Sequence, residues 1–542
     1  MSRLARRGVG SAPILLLLIT ASAALLITLG RNGVSDLHAV SRQAESTAAD
    51  DEQAARAAYI PCHKFPTPDI LPRNKWHHEI AKMMFLRDKK TQPRGDLSNV
   101  ELPADMAAAL RYMEANAPER LEAPKPWPAV AESKLKFTSY GLTIPDRPDN
   151  PAVSNVQIAD FDGDGKLDVI GTEMFQGTVF WGRLQPQSPL QVIADAPHPD
   201  HVTLTDVDKD GLKDLLVADL GQFLPGDHSD GAVIWMQALG NGKFGGFWAD
   251  GLPRVADVEA GDFNGDGKND LAVAAFGWRT TGHIAILENQ SSGADRASFA
   301  PHIIDPRPGA IHVVPIDLNK DGNLDLVALI SQQYETVVAY INTGKRDFSF
   351  VPQVLYEAPH PNWGSTGIQV VDLDKDGDPD VLLTHGDTMD DALVKPYHGI
   401  QWLENKWPVP PKRGEGGPAS PKPGEGGPFQ AHDVAQMPSV HRAVAADMDG
   451  DGDLDIVACA LLPGASNADD ATLPALVWLE QTKPGVFVRH TIEMGFPRHA
   501  TLDVADVDGD GDVDIVTGSF SPDKPAKSWV QVWINQLKAA KR

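Results

Sequence analysis

Only two cysteines, Cys62 and Cys459, occur in 542 residues. No disulfide framework can hold such a chain together; one bridge is the maximum and none is expected. Cations are also scarce, with 48 Lys and Arg against 74 Asp and Glu and a net charge of −26. Phosphate binding needs clustered Lys and Arg, so nucleic acid is excluded as a partner. Familiar catalytic signatures are missing. There is no G-x-S-x-G and no P-loop, and "GNGKF" at 240–244 lacks the Ser or Thr and reads as a hairpin turn. "HHEIAKM" at 77–83 has Lys82 where H-E-x-x-H needs its second histidine.

Long apolar runs are limited to one, residues 12–30, "APILLLLITASAALLITLG", preceded by Arg3, Arg6 and Arg7. A secretory signal carries about 7 to 15 apolar residues, whereas about 18 or more span a bilayer. Cleavage after "ASA" would leave "ALLITLG" exposed, so residues 1–30 read as a cytoplasmic tip and transmembrane signal anchor. Arginines before the span and acids after it place the bulk of the chain outside the cytoplasm, in a periplasm or at a cell surface, where calcium is available. Residues 31–57, rich in Ala, Ser and charge, read as a flexible stalk. Residues 58–128 contain two stretches with apolar residues at helical spacing, "RNKWHHEIAKMMFLRD" and "LPADMAAALRYMEANAP". From 129 to 542 the pattern changes to short apolar runs bounded by Gly, Asp, Asn and Pro, a β signature.

That β region repeats one motif seven times: "DFDGDGKLD" at 160, "DVDKDGLKD" at 206, "DFNGDGKND" at 262, "DLNKDGNLD" at 317, "DLDKDGDPD" at 372, "DMDGDGDLD" at 447 and "DVDGDGDVD" at 506. The starts are 46, 56, 55, 55, 75 and 59 residues apart, the size of a four-stranded propeller blade. The longest gap contains residues 411–428, "PKRGEGGPASPKPGEGGP", read as a disordered surface insertion. Each motif leads into an apolar strand, and a second strand follows. The last unit ends soon after "VQVWINQ" and lacks an outer strand, which "KFTSY" at 136–140 is placed to supply, closing the ring. The expected fold is all-β, a seven-bladed propeller with calcium loops, preceded by a transmembrane helix and a small helical region.

The pattern D-x-[DN]-x-D-G-x-x-D has oxygen donors at positions 1, 3, 5 and 9 and a turn-permitting Gly at 6. The donors are Asp160, Asp162, Asp164 and Asp168 in the first copy, then Asp206, Asp208, Asp210 and Asp214. Asp262, Asn264, Asp266 and Asp270 follow, then Asp317, Asn319, Asp321 and Asp325. The last three sets are Asp372, Asp374, Asp376 and Asp380; Asp447, Asp449, Asp451 and Asp455; and Asp506, Asp508, Asp510 and Asp514. Hard oxygens on a flexible loop select Ca²⁺. An EF-hand is excluded because position 12 is Gly171, Val217, Val273, Ala328, Leu383, Ala458 or Thr517, and none is a carboxylate. With about 10⁻⁴ M affinity, millimolar Ca²⁺ would add roughly 1.4 kcal/mol per site, or about 10 kcal/mol over seven, so the expected role of the ions is structural.

With this motif and the strand after it, the region from about 130 to 542 resembles the FG-GAP/VCBS repeat propellers, which include the integrin α-chain head. That resemblance implies a rigid platform for binding protein or carbohydrate. "AAFGW" at 274–278 is the nearest match to the family's FG signature. "YIPCHKFPTPDILPRNKW" at 59–76 resembles the haem-attachment region of a c-type cytochrome, degenerate because Tyr59 replaces the first Cys. By that resemblance Cys62 would hold a thioether and His63 the iron, with Met83, Met84, Met106 or Met113 as distal candidate. With one cysteine gone, haem is not expected.

His201, His312, His441 and His499 lie five to seven residues before their motifs. They are candidates either for a site near the propeller axis or for repeat packing positions. The tryptophans of "VIWMQ", "IQWLEN" and "LVWLEQ" are read as core. The leading expectation is a membrane-anchored, extracytoplasmic, calcium-binding and non-catalytic scaffold for protein or carbohydrate. The alternatives are a carbohydrate-active enzyme of the polysaccharide lyase or sugar dehydratase type, and a redox protein if the N-terminal segment binds haem. Histidines clustered in one pocket with an Arg, Lys or Tyr partner would favour the enzyme.

Overall fold

Each acidic motif turns the chain between two antiparallel strands, and the strand after it is the most buried in its blade. All six residues are buried in Asp168–Glu173, Asp214–Asp219, Asp270–Ala275, Asp325–Ile330, Asp380–His385, Asp455–Ala460 and Asp514–Ser519. Their Val, Leu, Ile and Ala side chains meet the neighbouring blade on each face, which is why these runs are continuous in apolar residues. Each fully buried Val, Leu or Ile contributes about 1.5–3 kcal/mol. Trp235, Trp402 and Trp478 are core residues, as read.

The computed structural model describes residues 48–59, 64–90, 92–93, 95–291, 297–407, 429–462 and 467–538. Their strands form seven four-stranded antiparallel sheets, so the chain is a seven-bladed β-propeller. Six blades use four consecutive strands. The seventh is ordered Phe137–Leu142, Val530–Asn535, Asp514–Ser519, His499–Ala505, so the N-terminal strand closes the ring. Tyr140 lies opposite Val532 and Leu142 opposite Val530. The inner strands, in blade order, are Val153–Ala159, Pro199–Thr205, Val255–Gly261, Ala310–Ile316, Ser365–Val371, Val440–Ala446 and His499–Ala505.

Among the described residues the helical region has three α-helices: α1 (Ala48–Tyr59), α2 (Trp76–Arg87) and α3 (Ala104–Asn116). The stalk expected over 31–57 is corrected by α1. Residues 48–57 are helical because Ala55 and Tyr59 pack against α3 and Asp51 pairs with Arg111 at 2.7 Å. Tyr59, Trp76, Ile80, Met106 and Met113 fill the helical core, and Leu393 of blade 5 joins them. From there the chain passes Trp127, which joins a blade core under the Arg489 guanidinium at 5.0 Å, and enters the closing strand. No helix among the described residues is long and apolar enough to cross a membrane. The apolar run 12–30, Cys62, His63 and the insertion 411–428 lie outside the described residues.

Ring closure makes a measurable demand on the closing strand. Leu142 is 1 % exposed in the core between blades 7 and 1, so Leu142→Ala is expected to lower unfolding free energy in urea by about 2–5 kcal/mol. Thr138→Ala, at an exposed position of the same strand, should change it by less than about 0.5 kcal/mol.

Candidate functional site

The seven acidic loops share one backbone. The position 6 amide donates to the position 1 carboxylate at 2.8–3.1 Å in every copy. The position 6 glycines adopt φ between 83° and 99°, and almost all have open space where a Cβ would stand. Glycine is therefore required by the left-handed backbone and not by crowding. Position 4 is left-handed too, as Gly in four copies and as Lys209, Lys320 and Lys375 in three. Each of these lysines reaches across to the position 6 carbonyl of the next blade's loop, on Gly267, Gly377 and Gly452.

The position 9 aspartate is buried at the root of the loop. Its Oδ2 accepts the position 2 amide at 2.9–3.3 Å in all seven copies. In six blades Oδ1 also accepts a third-strand amide at 2.7–2.8 Å. Carboxylate oxygens converge within 4.8 Å of one another in the sets Asp160, Asp162, Asp168; Asp206, Asp208, Asp210; Asp372, Asp374, Asp380; and Asp447, Asp449, Asp455. This all-oxygen donor set fits a hard divalent cation. Blade 1 differs, because the Arg183 guanidinium pairs with both Asp162 and Asp164. Among the described residues, no other Lys or Arg pairs with a carboxylate at positions 1, 3, 5 or 9.

Counting back from the first motif aspartate locates the axis. Five residues before it stand Asn155, His201, Asp257, His312, Gly367, Arg442 and Thr501, one per blade, and each follows the same irregularity in strand register. Three residues before it stand Gln157, Thr203, Glu259, Val314, Gln369, Val444 and Asp503. Six oxygen-bearing side chains of these two rings accept amides from the inner strand of the next blade. Asn155, Asp257 and Thr501 accept the amides of Val202, Val313 and Val156. Gln157, Gln369 and Asp503 accept those of Leu204, Ala445 and Ile158. Inner-strand amides would otherwise face the channel unpaired.

The four histidines do not occupy one equivalent position. His201 and His312 are ring residues; blade 6 has Arg442 there and blade 7 has Thr501. His441 stands one residue earlier, and its Nδ1 donates to the Ala500 carbonyl at 2.7 Å. His499 is 3 % exposed and held by Glu493 at 2.7 Å, a packing role. His201, His312 and His441 line a cavity of about 430 Å³ with Arg254, Arg442, Asp200, Phe276 and Trp278. It opens on the face of the propeller opposite the acidic loops. Sequence reading missed Arg254, Asp257, Glu259 and Arg442; alignment of the seven copies on the motif would have placed all but Arg254.

His201 Nδ1 lies 2.9 Å from Asp257 Oδ1, and His312 Nδ1 lies 3.4 Å from Asp257 Oδ2. Burial works against a charged His201, but the Asp257 carboxylate prevails and raises its pKa. Burial lowers His312, and it lowers His441 to about 4. Burial and the Asp257 charge push Glu259 up to about 7, and burial lifts Asp200 to about 7. Arg254 is 7 % exposed, with its guanidinium 5.4 Å from the Phe276 ring. A second cavity of about 780 Å³ lies between the helices and blades 3 to 5, lined by Glu79, Lys82, Arg279 and Asp390. The two cavities share Ser331, Gln332, Ser365, Asp387 and Asp390.

A family model described as FG-GAP-like repeat matches three successive stretches, residues 206–273, 262–328 and 317–383. Residues 206–383 of this seven-bladed propeller are thus similar to FG-GAP repeats. Each matched stretch starts at one acidic loop and ends in the buried strand after the next, so the sequence repeat is offset from the blade. Solved structures similar to it include BBS1N in complex with ARL6DN, at 10 % identity and a TM-score of 0.40, covering 76 % of this chain and 97 % of that one. Another is virginiamycin B lyase from Staphylococcus aureus, at 11 % identity and a TM-score of 0.42, covering 74 % and 99 %. No curated protein matches the chain.

The position 9 aspartates respond to pH. Burial and the neighbouring loop carboxylates raise Asp168, Asp270, Asp325, Asp380 and Asp514 to about 6 and Asp455 to about 7, and burial raises Asp214. A raised carboxyl pKa means that the folded state binds the proton more tightly than the unfolded chain, whose value is about 3.9. In the presence of a chelator, the melting temperature of the propeller is therefore expected to fall as pH rises from about 4 to 7. A melting temperature that rises across that window in chelator would contradict this reading.

Proposed function

We propose that this propeller is a calcium-stabilised, extracytoplasmic binding scaffold, tethered to a membrane by residues 12–30, that takes a carbohydrate bearing an acidic group into its axial pocket. The observation that carries the reading is the convergence of Arg254 and Arg442 with His201, His312 and His441 in one cavity beside Phe276 and Trp278. A cavity of about 430 Å³ suits a sugar residue or one protruding group, not a folded partner. Arginine is the usual donor to a carboxylate, and an aromatic face covers the apolar side of a sugar ring. Calcium would occupy up to seven acidic loops, held by the donors at positions 1, 3, 5 and 9, with Arg183 competing for the first. It would supply charge neutralisation to the loops and no chemistry to the pocket, which lies on the opposite face.

A second reading is favoured by one specific contact. His201, whose Nδ1 lies 2.9 Å from Asp257 Oδ1, lines the same cavity as Arg442, which suits a general base acting with a cation that stabilises a carboxylate during proton abstraction. That is the demand of a lyase or dehydratase acting on an acidic sugar.

Binding of neutral and uronic-acid oligosaccharides to the full chain, with and without Arg442→Ala, tests the proposal. Uronic-acid binding weakened more than tenfold by the substitution is the expected result, and binding that is absent or insensitive to it would refute the pocket assignment. Release of an unsaturated product during the same incubation, abolished by His201→Ala, would select the lyase reading.

A further inference from the structure

We infer that a transition-metal site borders the axial pocket, formed by His201, which lines the cavity, with Asp257 and Glu259 behind it and His312 beside them. One nitrogen or oxygen of each of the first three residues lies within 4.8 Å of the other two. Metal–ligand bonds of about 2.0–2.2 Å put donor atoms roughly 3–4 Å apart, so small side-chain adjustments complete the site. His312 Nδ1, 3.4 Å from the second oxygen of Asp257, is within reach as a fourth ligand. His201 comes from blade 2, Asp257 and Glu259 from blade 3 and His312 from blade 4. Gly367, at the ring position of blade 5, leaves the sector beside His312 without a side chain.

The inter-blade bonding pattern separates this cluster from ordinary packing. Gln157, Gln369 and Asp503 each accept an amide from the residue two before the motif in the next blade. Glu259 occupies the same ring, but the corresponding residue of blade 4 is Pro315, which has no N–H. The bond that accounts for its equivalents is thus denied to Glu259. The hydroxyl of Thr203 at 3.1 Å is what orients it. Asp257 does keep its inter-blade bond, using Oδ2 for the Val313 amide at 3.1 Å and turning Oδ1 toward His201. Among the described residues no Lys or Arg pairs with either carboxylate, so two adjacent acids share one low-dielectric site. Such a pair is stabilised by a bound cation.

Donor chemistry sets the class of ion. Imidazole nitrogen with carboxylate oxygen suits Zn²⁺ and its first-row neighbours, whereas Ca²⁺ takes oxygen alone. Three protein ligands leave a fourth position for a ligand from the cavity, the pattern of open sites, whereas His312 as a fourth ligand would close the tetrahedron. The Thr203 and Val313 contacts hold the carboxylates in orientation, as outer-shell partners do. The site stands independently of whether the pocket's ligand is a carbohydrate.

Co²⁺ titration of the full chain, with millimolar Ca²⁺ present to saturate the acidic loops, tests the inference. The visible d–d bands of Co²⁺ report nitrogen ligation directly. The expected result is one equivalent of Co²⁺ per chain, displaced by Zn²⁺ and weakened more than tenfold in His201→Ala and in the isosteric Glu259→Gln, with thermal unfolding confirming that both variants fold. Arg442→Ala should retain the metal, so loss of sugar binding and loss of metal binding are distinguishable. An absence of stoichiometric Co²⁺ bands, or equal affinity in His201→Ala and Glu259→Gln, would overturn the site.

Discussion

The rest of the molecule depends on the buried aspartate at position 9 of each acidic motif. One of its oxygens holds the loop through the position 2 amide, and in six blades the other holds the third strand. Loop, second strand and third strand are thereby tied at a single carboxylate. Because the motif is also fixed to the inner strand, the same side chain sets which residues of that strand reach the axis. The ring five residues before the motif and the ring three before it follow from this anchoring. Burying a carboxylate beside three other oxygen donors has an electrostatic cost, which backbone amides offset in part. Chemistry that neutralises the loops therefore acts on the whole propeller.

The two faces consequently serve different ends. Acidic loops, with left-handed glycines and lysines that reach across to the next blade, form one face and concern stability. The other carries the hairpins between second and third strands, the links between blades, and the axial cavity. The helices α1 to α3 stand on this second face, where Lys82 meets Asp390 at 3.9 Å. Their cavity runs into the axial one through Ser331, Gln332, Ser365, Asp387 and Asp390.

Much of the fold was legible because the repeat left a fixed mark. Seven D-x-[DN]-x-D-G-x-x-D copies with buried strands behind them specify blade count and core, and the absent outer strand after "VQVWINQ" specifies the closure by Phe137–Leu142. The helical start at Ala48 was not legible, since the α1 segment is rich in Ala and charge and gains its order from packing on α3 and from the Asp51–Arg111 pair. The pocket was half legible. His201, His312 and His441 were found as histidines and line the cavity, but grouping by residue type also admitted His499 and passed over Arg442, and over Asp257 and Gly367 of the same ring. Position relative to the motif, and not residue type, decides what faces the axis. Pro315 carries information only once its neighbour's bonding pattern is known, which no single-strand reading supplies.

The central claim is that the acidic loops are ion clamps on which blade stability rests. It is tested most directly by thermal unfolding of the full chain at neutral pH in chelator and across a calcium titration to millimolar. The account predicts a melting temperature that climbs steeply with calcium and a large loss in chelator, in proportion to several weak sites acting together. A melting temperature indifferent to both chelator and calcium would contradict it.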